Sequence, residues 1–340
     1  MFEKYIKLTI RTLNGKKLTF KQDGSEGDSD IFFTVKGDDN ENATEATITL
    51  FNLSNETLND ISCGSSVALE AGYVPHPSWE FTLLEDIIPN YHPHDMMART
   101  LADLAYGLIF TGYINSKKVT VRRPDLEVEL KCLSQMKSLL SNKVDQNTQW
   151  SSPVTSKEVV KTLILRSGCS VGVLPESDGM VYDHLEFSGT TGETYYQALK
   201  QVCDDNHWKF IEKDATIHVI EKQDGYIEEL GYVLNNRTGL ISVTPSEETY
   251  SEDTNARTSY DIVSFLYYGL AIRHLVKIEH PILNDTCMIN TIKFVSDNTR
   301  HQAEFSVTPM GATNEVKFYP LADIHPLSSK VFNIFELYSE

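Results

Sequence analysis

Apolar and polar positions alternate through most of the first third of the chain. YIKLTIRTL (5–13), DIFFTVKG (30–37), ATITLFNL (46–53), SSVALEAGY (65–73), GLIFTGYI (107–114), KKVTVRR (117–123) and DLEVELKCL (125–133) carry this period. A two-residue period is that of a strand with one face in a core and one in water. Short strands at this spacing, divided by Gly, Asn, Asp and Ser turns, predict a barrel or sandwich. Residues 75–106 interrupt the rhythm with several prolines, Trp79, Phe81 and a helix near 94–105. So long a connection inside a compact domain is usually functional, which makes Trp79 and Phe81 candidate partner contacts.

The texture changes at about residue 135. SPVTSKEVVKTLILRSG (152–168) has helical spacing, with Thr155 or Ser156 at the N-cap and Gly168 closing it. TTGETYYQALKQVCDDNH (190–207) predicts a second helix, with Tyr195, Leu199 and Val202 on its apolar face. WKFIEKDATIHVIEK (208–222) reads as a hairpin turning at Lys213–Asp214. The β pattern returns in GLISVTP (239–245), YDIVSFLYYGLAIRHLVKIEH (260–280), CMINTIKFVSD (287–297) and RHQAEFSVTP (300–309). Between them, the acidic stretch 246–258 is a poor core former. The last thirty residues are apolar but irregular, the texture of a docking segment, with Phe332 and Phe335 as candidate contacts. The expected division is a β domain over 1–134 with its insertion at 75–106, an α+β module over 135–224, a second β domain over 225–312 and a docking segment over 313–340.

Composition narrows the chemistry. The formal net charge is −18 over 340 residues, which disfavours stable binding to DNA phosphates or anionic membranes. No apolar run approaches the roughly eighteen residues of a membrane-crossing helix, and the N-terminus lacks the apolar core of a signal peptide. The expectation is a protein made in the cytoplasm without stable membrane binding. Its five cysteines are scattered, with no paired spacing that suggests zinc or a disulfide framework.

Candidate sites are few. The acidic turns 23–30 and 37–45 lack the twelve-residue calcium loop with its terminal bidentate Glu. SGTTGET (188–194) lacks the Lys of a phosphate loop and reads as turn and cap. In NYHPHD, His92, His94 and Asp95 could share a metal on extended backbone, with a further ligand such as His76. Solvated loop histidines are the simpler expectation. Asp204–Asp205 and Glu228–Glu229 have no context that would make them a catalytic pair. No catalytic residue and no cofactor are predicted.

The strand–cap–helix corner at 46–61 leads to a family. In it, Asn52 and Ser54 can cap the helix, Glu56 suits the helix dipole, and Leu58 and Ile61 form an apolar stripe. TITLFNLSNETLNDISCGSSVALEAGY (47–73), followed after the insertion by GLIFTGYI, resembles the first barrel of bacteriophage tail or baseplate hub proteins. The shared elements are Asn52-Leu53-Ser54, a short helix, the Gly64 turn, Ala71-Gly72-Tyr73, then Gly107, Ile109, Phe110 and Gly112. The later order of helical module, TGLISVTP and closing strands is similar too, so the resemblance spans about residues 4–310. The 75–106 insertion departs from it, standing where a shorter connection is expected.

The resemblance implies a mainly β fold, two tail-tube-like β-barrels flanking an α+β module. It implies a homotrimer forming a pseudo-sixfold ring that joins the hexameric tail tube to a trimeric spike or tip. Tail tube, spike or tip, tape-measure and surrounding baseplate proteins are the implied partners, in the virion, with DNA only in transit through the channel. Acidic charge on the channel wall would reduce DNA sticking. Alternatives are a hub of a phage-derived contractile injection system, or a carbohydrate-binding or tail-associated hydrolase β protein.

Overall fold

A computed structural model of the chain describes residues 2–24, 28–38, 44–75, 106–122, 125–145, 148–187, 193–213, 216–221, 231–236, 238–246, 259–310 and 318–320. The first β run comprises β1 (Phe2–Arg11), β2 (Lys17–Gln22), β3 (Ile31–Asp38), β4 (Glu45–Phe51), β5 (Ser66–Pro75), β6 (Tyr106–Arg122) and β7 (Asp125–Ser134), with helix α1 (Asn55–Asp60) before β5. All its pairings are antiparallel, in the order β3-β4-β7-β6-β5-β1-β2. The period-two pattern decides which face is buried. On β4, Ala46, Ile48 and Leu50 enter the core while Thr47 and Thr49 face away from it.

GLIFTGYI and KKVTVRR, expected as two strands, are one. β6 runs through both, and a bulge at Asn115 lets a single strand change partners along its length. Strand β2 had no sequence expectation, because its burial alternates only between exposed and half-buried. The stretch 260–280 divides instead into two strands around a loop at 266–274.

The α+β segment contains α2 (Gln135–Leu140), β8 (Thr148–Trp150), β9 (Val154–Thr155), α3 (Ser156–Ser167), β10 (Ser170–Val171), β11 (Val181–Tyr182), β12 (Leu185–Phe187), α4 (Tyr195–Asp205), β13 (Trp208–Lys213) and β14 (Thr216–Glu221). Both longer helices start with capping boxes, Thr155 with Glu158 and Thr194 with Gln197, and Gly168 ends α3 in the left-handed conformation. Val159, Val160, Leu163 and Ile164 of α3 join Leu199, Val202 and Phe210 in a core separate from that of the β runs. The short strands β8 to β12 were illegible in the sequence, each having only two or three residues.

The second β run comprises β15 (Gly231–Leu234), β16 (Leu240–Pro245), β17 (Tyr260–Phe265), β18 (Leu275–Glu279), β19 (Asn284–Ser296), β20 (His301–Pro309) and β21 (Phe318–Pro320). Its ladders repeat those of the first. The neighbour order β3-β4-β7-β6-β5 has a counterpart in β16-β17-β20-β19-β18. Ile114 and Ile289 each precede a bulge, at Asn115 and Asn290 respectively. The corners leading into β5 and β18 match as well. Gly64 N–H donates to Ile114 O (2.8 Å) and Ile114 N–H to Ser65 O (2.9 Å). Arg273 N–H donates to Ile289 O (2.7 Å) and Ile289 N–H to His274 O (3.0 Å). Gly64 and Arg273 are both left-handed, with φ of 86° and 63°. The correspondence ends at the next strand, since β1 is antiparallel to β5 whereas β15 is parallel to β18.

A third set of bonds joins the two runs. β3 pairs antiparallel with the second half of β19, from Phe33 opposite Ser296 to Asp38 opposite Thr291. Both runs thereby share one sheet of 14 strands and one apolar core, in which Ile48, Leu130, Ile262 and Phe305 all take part.

Candidate functional site

The family-motif residues singled out by sequence fall into three places. At the corner, Asn52 is left-handed (φ 55°), a conformation its short polar side chain tolerates. It does not cap the helix, contrary to expectation. Its N–H donates to Leu126 O (2.8 Å), its Oδ1 accepts from Leu126 N–H (3.0 Å) and its Nδ2 donates to Asp125 Oδ1 (3.1 Å). Turning the chain left-handed aims the amide at the start of β7, so Asn52 clasps that strand. Ser54 alone is the N-cap, its Oγ accepting from Thr57 N–H at 3.1 Å. Lys16 Nζ reaches Asp60 (2.5 Å) and Glu56 (3.4 Å), while Lys117 Nζ donates to Ile61 O (2.6 Å) and Leu58 O (3.0 Å) at the helix C-terminus. Leu53 and Leu58 lie half-buried on the core and Ile61 enters it. The corner is a brace.

The second place is the seam between the β runs. Ala71 is fully buried, and Gly72 and Tyr73 after it meet His301 of the second run. His301 Nε2 lies 2.8 Å from Gly72 O and Nδ1 lies 2.9 Å from Ser296 Oγ. A carbonyl only accepts, so Nε2 carries the proton and Nδ1 accepts from the serine hydroxyl. Burial pulls the His301 pKa down to about 4; the Gly72 bond opposes this and the Lys4 charge adds to it. Tyr73 donates its hydroxyl to His301 O and packs edge-on against the imidazole, ring centroids 4.8 Å apart. Burial raises its phenol to about 12, too high for acid–base work near neutrality. At Gly107, a Cβ would lie 2.5 Å from the Tyr268 ring, so the glycine admits that ring against β6.

The third place is inside β6. Ile109 is half-buried on the core and Phe110 is buried in it. A Cβ at Gly112 would sit 2.1 Å from Leu133 O, a backbone atom that cannot swing aside. Gly112 is thus demanded by the approach of β7.

None of this makes a reaction centre. A cavity of about 80 Å³ lies where β3, β6, β19, the 266–274 loop and Glu212 of the α+β segment meet. Drug-sized ligands need several hundred Å³. Among the described residues no group of three His, Cys, Asp or Glu could hold a metal ion. His92, His94, Asp95, Trp79, Phe81, Phe332 and Phe335 lie outside the described residues. Burial lifts the Cys132 and Cys287 thiols to about 12, which makes them poor nucleophiles.

Two alike β units are expected from the resemblance alone; the residue pattern by itself does not reveal the repeat. The signal is short: Ile114-Asn115-Ser116 with Lys118, against Ile289-Asn290-Thr291 with Lys293. The two lysines stand opposite Glu129 and Glu304 respectively. Four or five retained positions in two dozen are invisible without the ladders that align them.

No family model and no curated protein sequence matches the chain. Solved structures do. A prophage 43 kDa tail protein from Shewanella oneidensis is similar with a TM-score of 0.57 at 10% identity, covering 90% of this chain and 99% of that one. A tail protein from Neisseria meningitidis gives 0.55 at 10% identity, covering 90% and 97%. An Escherichia coli component of the type VI secretion system, described as structurally similar to tail proteins of bacteriophage T4, gives 0.54 at 15% identity, covering 92% and 78%. With its mainly β architecture and α+β insert, the chain has the fold of these tail proteins.

Proposed function

We propose that the protein is a structural hub subunit of a bacteriophage tail or baseplate. Three chains form a pseudo-sixfold ring, each giving two tube-like β-barrel units, 1–134 and 225–312. The α+β module, 135–224, decorates the outside, and 313–340 docks on a neighbour. Such a ring joins a hexameric tail tube to a trimeric spike or tip, touches tape-measure and baseplate proteins, and lets DNA pass without holding it. Acidic charge on the channel wall would repel phosphates. The observation that carries this reading is the internal repeat: two alike runs, bonded edge to edge through β3 and β19, are what a chain needs to contribute two of six positions. The protein is not an enzyme on this reading.

End-on electron microscopy of the purified protein tests it. The expected view is a ring of six similar lobes around a channel; compact single-chain particles at high concentration would contradict it. The likeness to the type VI component supports a second reading, a hub in a contractile injection system. Mass spectrometry of purified particles separates the two, by whether the chain travels with a genome-containing virion.

A further inference from the structure

Each repeat has an edge strand, β3 or β16, and a long bulged strand, β6 or β19. In the second repeat, β19 uses one edge twice. Its first half pairs with β18 up to Met288, and beyond the bulge the same edge receives β3 from Thr291 to Ser296. In the first repeat, β6 pairs with β5 up to Tyr113, and beyond its bulge pairs only with β7 among the described residues. Likewise, among the described residues β16 pairs only with β17. Among the described residues, one chain therefore contains one filled joint, β3 on β19, and the two open halves of another.

The side chains at the open half are those of a joint awaiting its partner. Residues directly opposite in an antiparallel pair point to the same face. Val119 stands opposite Val128 and Val121 opposite Leu126, and Val128 is fully buried, so both valines are on the core side of the sheet. Yet they are 42% and 69% exposed. Their counterparts Phe294 and Ser296, covered by β3, are 4% and 1% exposed. On the donor side, Val243 pairs with Ile262 as Phe33 pairs with Ile48. Ser246 N–H donates to Ser259 O (2.9 Å), and antiparallel pairs alternate between bonded and non-bonded types. Two alternations on, Thr244 bonds to β17 while the N–H and C=O of Val243 point outward, as an edge strand ready for a partner does.

We propose that β16 of one chain adds to the second half of β6 of the next, antiparallel, with Val243 opposite Val121, Thr244 opposite Thr120 and Pro245 opposite Val119. The occupant is a second copy of this chain, because among the described residues the strand seated on such a half-strand is β3, the counterpart of β16. Each chain has one donor edge and one acceptor edge, so the contact is head-to-tail and closes only as a ring. This rests on the hub reading and adds to it the surface and register of the joint.

Cysteine cross-linking tests the register. Thr244 and Thr120 would form a non-hydrogen-bonded pair, whose Cα atoms lie about 4.5 Å apart, within disulfide range. In a Cys63→Ser background, which removes the one exposed thiol, Thr120→Cys with Thr244→Cys should oxidise to a covalent three-chain species. Each single variant should stay monomeric on a non-reducing gel, as should Lys118→Cys with Thr244→Cys, two residues out of register. A three-chain mass by light scattering without the Thr120–Thr244 cross-link would overturn this ladder and leave the trimeric hub standing. A one-chain mass without the cross-link would overturn both. As a second arm, Val121→Asp should keep the thermal melt of the parent, since the position is exposed in the monomer, and lose the three-chain species. Retention of that species would overturn the proposal.

Discussion

The two β runs use the same ladders to different ends. Around Ile289 every position of the plan is occupied: β18, β20 and β3 all bond to β19, and Phe294 is buried beneath them. Around Ile114 the plan is the same, but among the described residues one place is vacant, and Val119 and Val121 are exposed. A comparison within one chain thus separates what a strand needs for folding from what it needs for assembly. The bulge, the left-handed corner and the buried isoleucine are common to both runs, so they belong to folding. The filled or open edge is where the runs differ, and the proposed joint between chains is placed there.

Substitutions at matched positions can break or sharpen this comparison. The largest effect is expected at Gly112, where a Cβ would meet Leu133 O. Gly112→Ala should cost about 4 kcal/mol in urea unfolding, because two backbones must part. The matched residue of the second run is Cys287, which stands opposite Pro309 as Gly112 stands opposite Ser134. It is already a buried side chain, and Cys287→Ala should cost only about 1 kcal/mol. Equal losses at the two sites would mean that the runs approach their neighbours alike.

Ile114→Ala and Ile289→Ala should behave as twins, each losing about 3 kcal/mol, since both are buried before a bulge. A difference above about 1.5 kcal/mol between them would weaken the repeat as an energetic unit.

The seam should respond to acid. His301 stands opposite Ser296 where the first run has Leu126 opposite Val121. Its folded pKa of about 4 is below the ordinary 6.5, so folding favours the neutral ring. The stability is fully present above pH 6.5 and is lost as pH falls through 4, roughly 2–3 kcal/mol over that window. Urea midpoints from pH 7 to 5 should fall for the wild type and stay flatter for His301→Gln. Parallel curves would show that the seam does not feel the imidazole.

Thr155→Ala gives the smallest effect. Removing the capping box of α3 should cost about 1 kcal/mol. The α+β segment has its own core, so hydrogen exchange should quicken in α3 and leave β4 unchanged.

Much of the architecture is legible from periodicity. ATITLFNL alternates because one face of β4 is buried, and Thr155 and Gly168 mark the ends of α3 by local bonding that any helix needs. Other features depend on distant partners. KKVTVRR looks like a separate strand because nothing local says that Asn115 is a bulge rather than a turn. Asn52 looks like a cap because its bonds go to Asp125 and Leu126, far along the chain. The resemblance motif marked Gly72, Tyr73 and Gly107, but their work at the seam becomes visible only once His301 and Tyr268 are brought against them. The repeat lay deeper still, since its likeness is one of hydrogen-bond register.

The central claim is that three chains share one ring, and light scattering of the purified protein tests it most directly. The account predicts a particle of three 38.4 kDa chains that falls to one chain in Val121→Asp with the fold unchanged. A wild-type protein that stays at one or two chains across the concentration range would contradict it.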